Sequence, residues 1–426
     1  MQLAHRQLLA VAAVALTLRS VLSVCIVAFT KLGVQYDASA MAPQVSCEGH
    51  ALQPPRSSLP GLQRLAVWDT LFFARIAQCG YEYEQFHAFF PLIPRLLAWL
   101  SGHLSATQAD SSSIVATGQL VAAGLVLNLS SSVVSAVLLF RLSLQVLRDE
   151  TRAALATLLF CLNPATVFYS GVYTEPVFAM LSLLALNLLS THFLVAATVF
   201  GLSTAARSNG IVSACFIAHD GIRKGLRTSG KGKPLIMLHT LVGAALVIGP
   251  LGAFQLFGYA QFCRGASPAP PWCAASLPYL YGYVQSHYWG VGFLRYFQLQ
   301  QVPNFLLAMP VLVLTWTGCV RFVRDHGLLT ALRAVFLPGH QSGKADVADP
   351  IPLDAAIYMA HWAFLAAYAT FFMHVQVSTR LLSSCPALYW WAASLCVRGH
   401  SRAVWTYFLS YAALGLVLFP QFYPWT

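Results

Sequence analysis

Charge is scarce in this sequence. Its 426 residues include 25 Lys and Arg and 14 Asp and Glu. That is 9% charged, where a soluble domain carries about 25%. Apolar residues make up 58%, and charge-poor runs repeatedly reach the roughly 20 residues that cross a bilayer. An ordinary soluble domain is therefore excluded. The sequence also lacks a P-loop, a GxGxxG turn, an HExxH helix and paired CxxC motifs, which removes the common nucleotide and zinc chemistries. The net charge of +11 comes with no nucleic-acid module. Its basic residues fall in short links between apolar runs, the positive-inside pattern of a membrane protein. No tandem repeat of the transporter kind is present.

The runs predict an all-α polytopic membrane protein with about eleven spans, near 8–32, 114–140, 152–170, 174–190, 192–206, 208–219, 235–259, 303–323, 353–375, 381–397 and 402–422. The first lacks a small-residue cleavage site and reads as an uncleaved span. The links Arg141 to Arg152, Arg321 to Lys344, Arg398 to Arg402, and the one after Asp220 with its five positive charges, are expected on the cytoplasmic side. Segments 33–113 and 260–302, and the tight turns near 171, 207 and 378, then share the opposite side. This holds only if 88–105 does not cross, and Pro91 and Pro94 mark that stretch as re-entrant or interfacial. Of ten cysteines, no pair has zinc-ligand spacing. Cys263 and Cys273 flank a polar loop and either bridge in an oxidising lumen or stay as thiols.

Of the carboxylates, Asp149, Glu150, Asp220, Asp325, Asp346, Asp349 and Asp354 lie in or beside basic links, solvated or paired with Lys and Arg. Asp37, Glu48 and Asp110 sit in polar loops. Asp69 differs. Trp68, Phe72, Ile76 and Cys79 recur at helical spacing, so Asp69 would border the buried stripe of an interfacial helix. Partial desolvation there raises proton affinity and suits a general base. Capping of the helix start is the other reading. Glu82 and Glu84 are surface acids or grips for sugar hydroxyls, with His87 as a donor or a structural residue. Glu175 begins a helix before Pro176 or binds a sugar or an arginine. Arg207 and Arg380, each between apolar runs, either snorkel or, with Asn209 and His374, hold a lipid phosphate. Arg19 is mid-span and needs a partner inside the bundle. The aromatics Tyr279, Tyr281, Tyr283, His287, Tyr288, Trp289, Phe293 and Tyr296 fit sugar stacking or an interfacial belt. The Asn128-Leu-Ser sequon lies within a span, where glycosylation is not expected.

Several stretches together resemble a known family: Trp68-Asp69 with Gly80-Tyr81 and Phe89-Phe90-Pro91; Leu159 to Ala165; Arg207-Ser208-Asn209-Gly210; Pro271-Trp272-Cys273; Tyr288-Trp289 with Val291 to Leu294; Gln301 to Ala308, including Asn304; His374 to Arg380, including Gln376; and Pro424-Trp425-Thr426. Along nearly its whole length the chain is similar to the PIG-V mannosyltransferases of glycosylphosphatidylinositol (GPI) anchor synthesis. It looks shorter than some members between 260 and 273 and between 391 and 402.

The resemblance implies a GT-C glycosyltransferase fold in the endoplasmic reticulum membrane, a single domain over 1–426, with the active site on the lumenal loops 33–113 and 260–302. It implies dolichyl-phosphate-mannose as donor, a GPI precursor lipid as acceptor, an inverting α1,6 transfer and no metal or other cofactor. A small accessory membrane subunit fits as a partner. Asp69 would be the base, and Arg207 and Arg380 would bind the donor phosphate. Trp68, Glu82, Glu84, His87, Glu175, Asn209, His287, Trp289, Asn304, His374 and Gln376 are the substrate-binding candidates. The alternatives are a GT-C enzyme of another pathway in that membrane and a lipid or sugar transporter. Grouping of the polar residues at one face favours an enzyme.

Overall fold

In the computed structural model the described residues are 2–32, 36, 47, 60–104, 117–230, 232–264, 268–337 and 351–425. Asp37, Glu48, Asp110, Asp346 and Asp349, with much of the 33–113 loop, lie outside them. The longer helices are α1 (Gln2–Leu32), α2 (Asp69–Cys79), α3 (Leu92–Leu104), α4 (Thr117–Leu147), α5 (Glu150–Cys161), α6 (Glu175–Leu188), α7 (Phe193–Ala206), α8 (Ala214–Arg227), α9 (Gly232–Phe262), α10 (Val302–His326), α11 (Ala356–Phe372), α12 (Pro386–Leu395) and α13 (Ser401–Leu418). No strand occurs among the described residues.

Among the described residues six stretches are long and apolar enough to cross a membrane: Arg6–Leu32, Thr117–Leu147, Gly232–Phe262, Leu299–His326, Leu353–Phe372 and Pro386–Gln421. Glu175–Leu188 and Phe193–Ala206 are apolar but shorter. The expected edges change at several points. Run 114–140 continues to Leu147. Run 152–170 is broken after Cys161, because Pro164 cannot continue a helix. Run 208–219 opens with a 3-10 turn, Ser208–Ser213, and continues as the amphipathic α8 to Arg227. Runs 381–397 and 402–422 are joined through a π-turn at Gly399, φ 90°. Segment 88–105 contains α3, with Pro91 just before it and Pro94 in its first turn, where proline is tolerated.

The apolar faces pack with small residues at close crossings. At Gly201 of α7 an added Cβ would collide with the Leu246 carbonyl of α9. The bundle has two chemically distinct ends. At one end lie Arg148–Asp354 (2.9 Å), Lys224–Asp220 (2.6 Å) and Arg321–Asp325 (2.8 Å). Asp149 accepts the Arg152 amide at the start of α5 (2.9 Å), and Gln7 donates to Glu150 (2.6 Å). Asp149, Asp220 and Asp325 pair with a cation three or four residues away, while Asp354 and Glu150 meet partners distant in sequence. At the other end meet the start of α2, the 171–174 turn, Arg207, the 374–380 segment and the 419–422 turn. Mid-bundle, Arg19 is fully buried. It donates to the Phe160 carbonyl (2.8 Å) and lies 4.9 Å from the Tyr169 ring centroid, so its partners are a carbonyl and a π-face.

Candidate active site

Trp68 has φ 53°, a region sparsely used by residues other than glycine. Its indole donates to the Phe419 carbonyl (3.3 Å) and its ring packs on Phe422. Those contacts hold the chain where α2 begins. The buried residues of α2 are Thr70, Phe73, Ala74 and Ile76. The expected stripe of Trp68, Phe72, Ile76 and Cys79 is thus displaced, because Trp68 stands outside the helix and is 37% exposed. The helix-cap reading of Asp69 also fails. Trp68 occupies the cap position without a side-chain bond, and the Asp69 carboxylate points to another element.

That element is the short helix Ser378–Leu382. Arg380 donates through Nη2 to Asp69 (3.0 Å) and through Nε to Glu175 (2.8 Å). Glu175, 2% exposed, opens α6 with Pro176 in its first turn. It also pairs with Arg207 Nη1. Arg207 donates further to Thr174 Oγ1 (3.0 Å) and to Asn209 Oδ1 (3.3 Å). Four segments therefore join in one chain of charge: Asp69, Arg380, Glu175, Arg207. Neither arginine snorkels. Arg380 is wedged against the rings of Phe168 (4.5 Å) and Tyr173 (4.8 Å). Burial alone would lower its proton affinity, but Glu175 and then Asp69 outweigh that and raise it, so the guanidinium stays charged. Both side chains keep about a seventh of their surface open, at 14% and 15%.

Tyr173 was not singled out from sequence. Its hydroxyl accepts the Asp69 backbone N–H (3.1 Å). Burial, and after it the Asp69 charge, push its phenol well above the usual range. Being neutral, it carried no charge signal to find it by, only its place two residues before Glu175.

The other candidates fall outside this chain of charge. Glu82 pairs with Arg75 (2.6 Å). Glu84 accepts from Trp272 Nε1 (3.0 Å) and Tyr288 Oη (2.5 Å), tying the first loop to the second. His87 is fully buried, with neither ring nitrogen hydrogen-bonded, so it serves here as a core ring and not as a donor. His287 stacks on Tyr283. His374 bonds the Trp289 carbonyl (2.7 Å) and stacks on Tyr296. Asn304 donates to Tyr296 Oη (2.7 Å). Trp289 packs edge-on to Phe72 of α2, while its Nε1 and the Oε1 of Gln376 are buried without partners. Trp289 and Gln376 thus keep unused polar atoms, and His374 joins the arginine segment to the second loop.

Cys263 and Cys273 form a disulfide, and so do Cys47 and Cys79. The second pair had no spacing signal. Among the described residues one trio has metal-ligand geometry, Cys47, Cys79 and Glu82, and its thiols are consumed by the disulfide.

A family profile described as Mannosyltransferase (PIG-V) matches residues 9–426. The chain is 33% identical to "GPI alpha-1,6-mannosyltransferase 2" of Mus musculus, over 90% of this chain and 91% of that protein. It is 31% identical to the Homo sapiens protein of the same name, over 88% and 92%. It is 32% identical to "GPI mannosyltransferase 2" of Drosophila melanogaster, over 85% and 87%. No solved structure matches it.

Proposed function

Because this chain belongs to the PIG-V family of mannosyltransferases, we propose that it transfers mannose from dolichyl-phosphate-mannose, in α1,6 linkage, to a GPI precursor bearing glucosamine and one mannose. The observation that carries this reading is the continuous chain from Asp69 through Arg380 and Glu175 to Arg207 at one end of the bundle.

The acceptor 6-hydroxyl attacks the mannose anomeric carbon, and its proton passes to Asp69. A new C–O bond forms opposite the breaking C–O bond, so the configuration inverts. The electron pair leaves with the dolichyl phosphate. Arg380 and Arg207 each have N–H groups beyond those given to Glu175, Asp69, Thr174 and Asn209, and these suit the extra charge on the leaving phosphate. With two guanidiniums in place the reading calls for no metal. Trp289, His374 and Gln376 are the sugar-contact candidates that adjoin Asp69 and Arg380 in the fold.

Two independent features support the lumenal orientation of this site. The Cys47–Cys79 bridge ends α2, whose first residue is Asp69, and the Cys263–Cys273 bridge follows α9. Disulfides belong in an oxidising lumen. The basic turns lie at the opposite end, as cytoplasmic links do. Eleven passes of one GT-C domain in the endoplasmic reticulum membrane satisfy both, with 33–113 and 260–302 as lumenal loops.

Asp69→Asn tests the assignment. Losing a general base lowers turnover about 10²- to 10⁴-fold. Transfer of labelled mannose into GPI lipids in microsomes reads it, and near-normal turnover by a membrane-inserted variant would sink the reading.

A further inference from the structure

Helix α4 runs through the bundle behind the site. Gly124 and Asn128 lie one turn apart, on its buried face. Asn128 Nδ2 donates to two carbonyls, Gly171 (2.7 Å) and Tyr173 (3.0 Å). One turn away, a Cβ at Gly124 would come within 2.5 Å of Val172 Cγ1. The bare backbone at 124 and the amide at 128 thus form a cradle for the turn 171–173, one by leaving space and the other by fixing two carbonyls.

That turn reaches the base. Thr70 Oγ1 donates to the Val172 carbonyl (3.0 Å), and the Asp69 backbone N–H donates to Tyr173 Oη (3.1 Å). The Tyr173 ring also backs Arg380. Each link is short, and each ends on a residue adjoining the reacting groups.

We propose that Gly124 and Asn128 are positioning residues of the transfer reaction, setting the Asp69 carboxylate and the Arg380 guanidinium in register through the 171–173 turn. This rests on the assignment of Asp69 as base. The sequon match at Asn128 is then incidental, since both hydrogens of its amide are used inside the bundle. A carboxamide deep in a span is retained only where its donors are met, and here they are met by the turn that holds the base. Small displacements of a positioned group cost up to about 10²-fold in rate.

The test uses the full chain in microsomes, with dolichyl-phosphate-mannose and GPI precursor varied separately. The variants are Gly124→Ala, Asn128→Ser, Tyr173→Phe and the pairwise combinations with Tyr173→Phe. Gly124→Ala and Asn128→Ser are each expected to lower kcat about tenfold or more, with KM for the donor changed by less than about twofold. Their losses are expected not to multiply with that of Tyr173→Phe, because all three act through one turn. Unaltered kcat, a change confined to KM, or fully multiplicative losses overturns the proposal. Folded protein is quantified by its melting midpoint in detergent. Alanine is the better helix former, so Gly124→Ala decides the matter if Asn128→Ser does not accumulate. Wild-type-like cradle variants beside an inactive Asp69→Asn reject this inference alone. An active Asp69→Asn rejects the reading on which it rests.

Discussion

At the scale of single residues, the cost of burying a carboxylate decides what Glu175 does. At 2% exposure it has lost its water, and Arg207 and Arg380 replace that water with two charged donors. Removing the anion leaves two guanidiniums facing each other with one remaining carboxylate, Asp69, to share. Breaking a buried pair from one side typically costs about 3–5 kcal/mol. Glu175→Gln keeps the shape and removes the charge, so the expected loss lies near the lower figure, since Arg380 retains Asp69. The melting midpoint of the detergent-purified variant checks this. An unchanged midpoint would show that the pairs contribute nothing to the fold. Mannose transfer is expected to fall too, because both arginines are then free to draw Asp69 out of line.

At the scale of elements, the turn Glu84–Ala88 is fastened to α9 by one ring. His87 lies 4.6 Å from Phe254, near-parallel to it, and 5.8 Å from Phe257. Burial depresses its pKa from 6.5 to about 4. The unfolded chain therefore binds a proton that the folded chain refuses, in the window between those two values. Stability is complete above pH 6.5, falls as the pH drops toward 4, and levels off below. The whole effect amounts to about 3 kcal/mol. His87→Leu is expected to make this dependence shallower, and melting midpoints between pH 7 and 4.5 read it. An equally steep loss in the variant would place the titrating group elsewhere. Sequence showed the His87 neighbourhood as apolar but not which rings face it, since α9 lies more than a hundred residues on. The same distance limited the site. Asp69, Glu175, Arg207 and Arg380 each stood out as charge in apolar surroundings, yet their pairing spans 311 and 205 residues and leaves no local pattern. Tyr173 is neutral and had only its place two residues before Glu175, and Asn128 stood out only as a sequon inside a span, which does not reveal the two carbonyls its amide meets. Helix ends blurred where an apolar run passed into an amphipathic one, as at α8.

For the whole molecule the decisive asymmetry is between its ends. The basic turns gather at one end, while both disulfides and the Asp69–Arg380–Glu175–Arg207 chain sit at the other. Charge retention and thiol oxidation are set by different physics, one by the cost of moving Lys and Arg through lipid, the other by compartment redox poise. Both favour the orientation proposed above. Residues on the two ends then differ in access to a reagent that cannot cross a membrane. Leu277, 76% exposed, lies in the second loop beside the Cys263–Cys273 bridge, and Ser229 is exposed in the basic turn after α8. In sealed microsomes, whose cytoplasmic face is outward, Ser229→Cys is expected to react with an impermeant maleimide at once. Leu277→Cys is expected to react only after the vesicles are permeabilised. The reverse pattern would put Asp69 on the cytoplasmic side, in a reducing compartment where neither bridge persists, and a lumenal transfer of mannose could not be sustained.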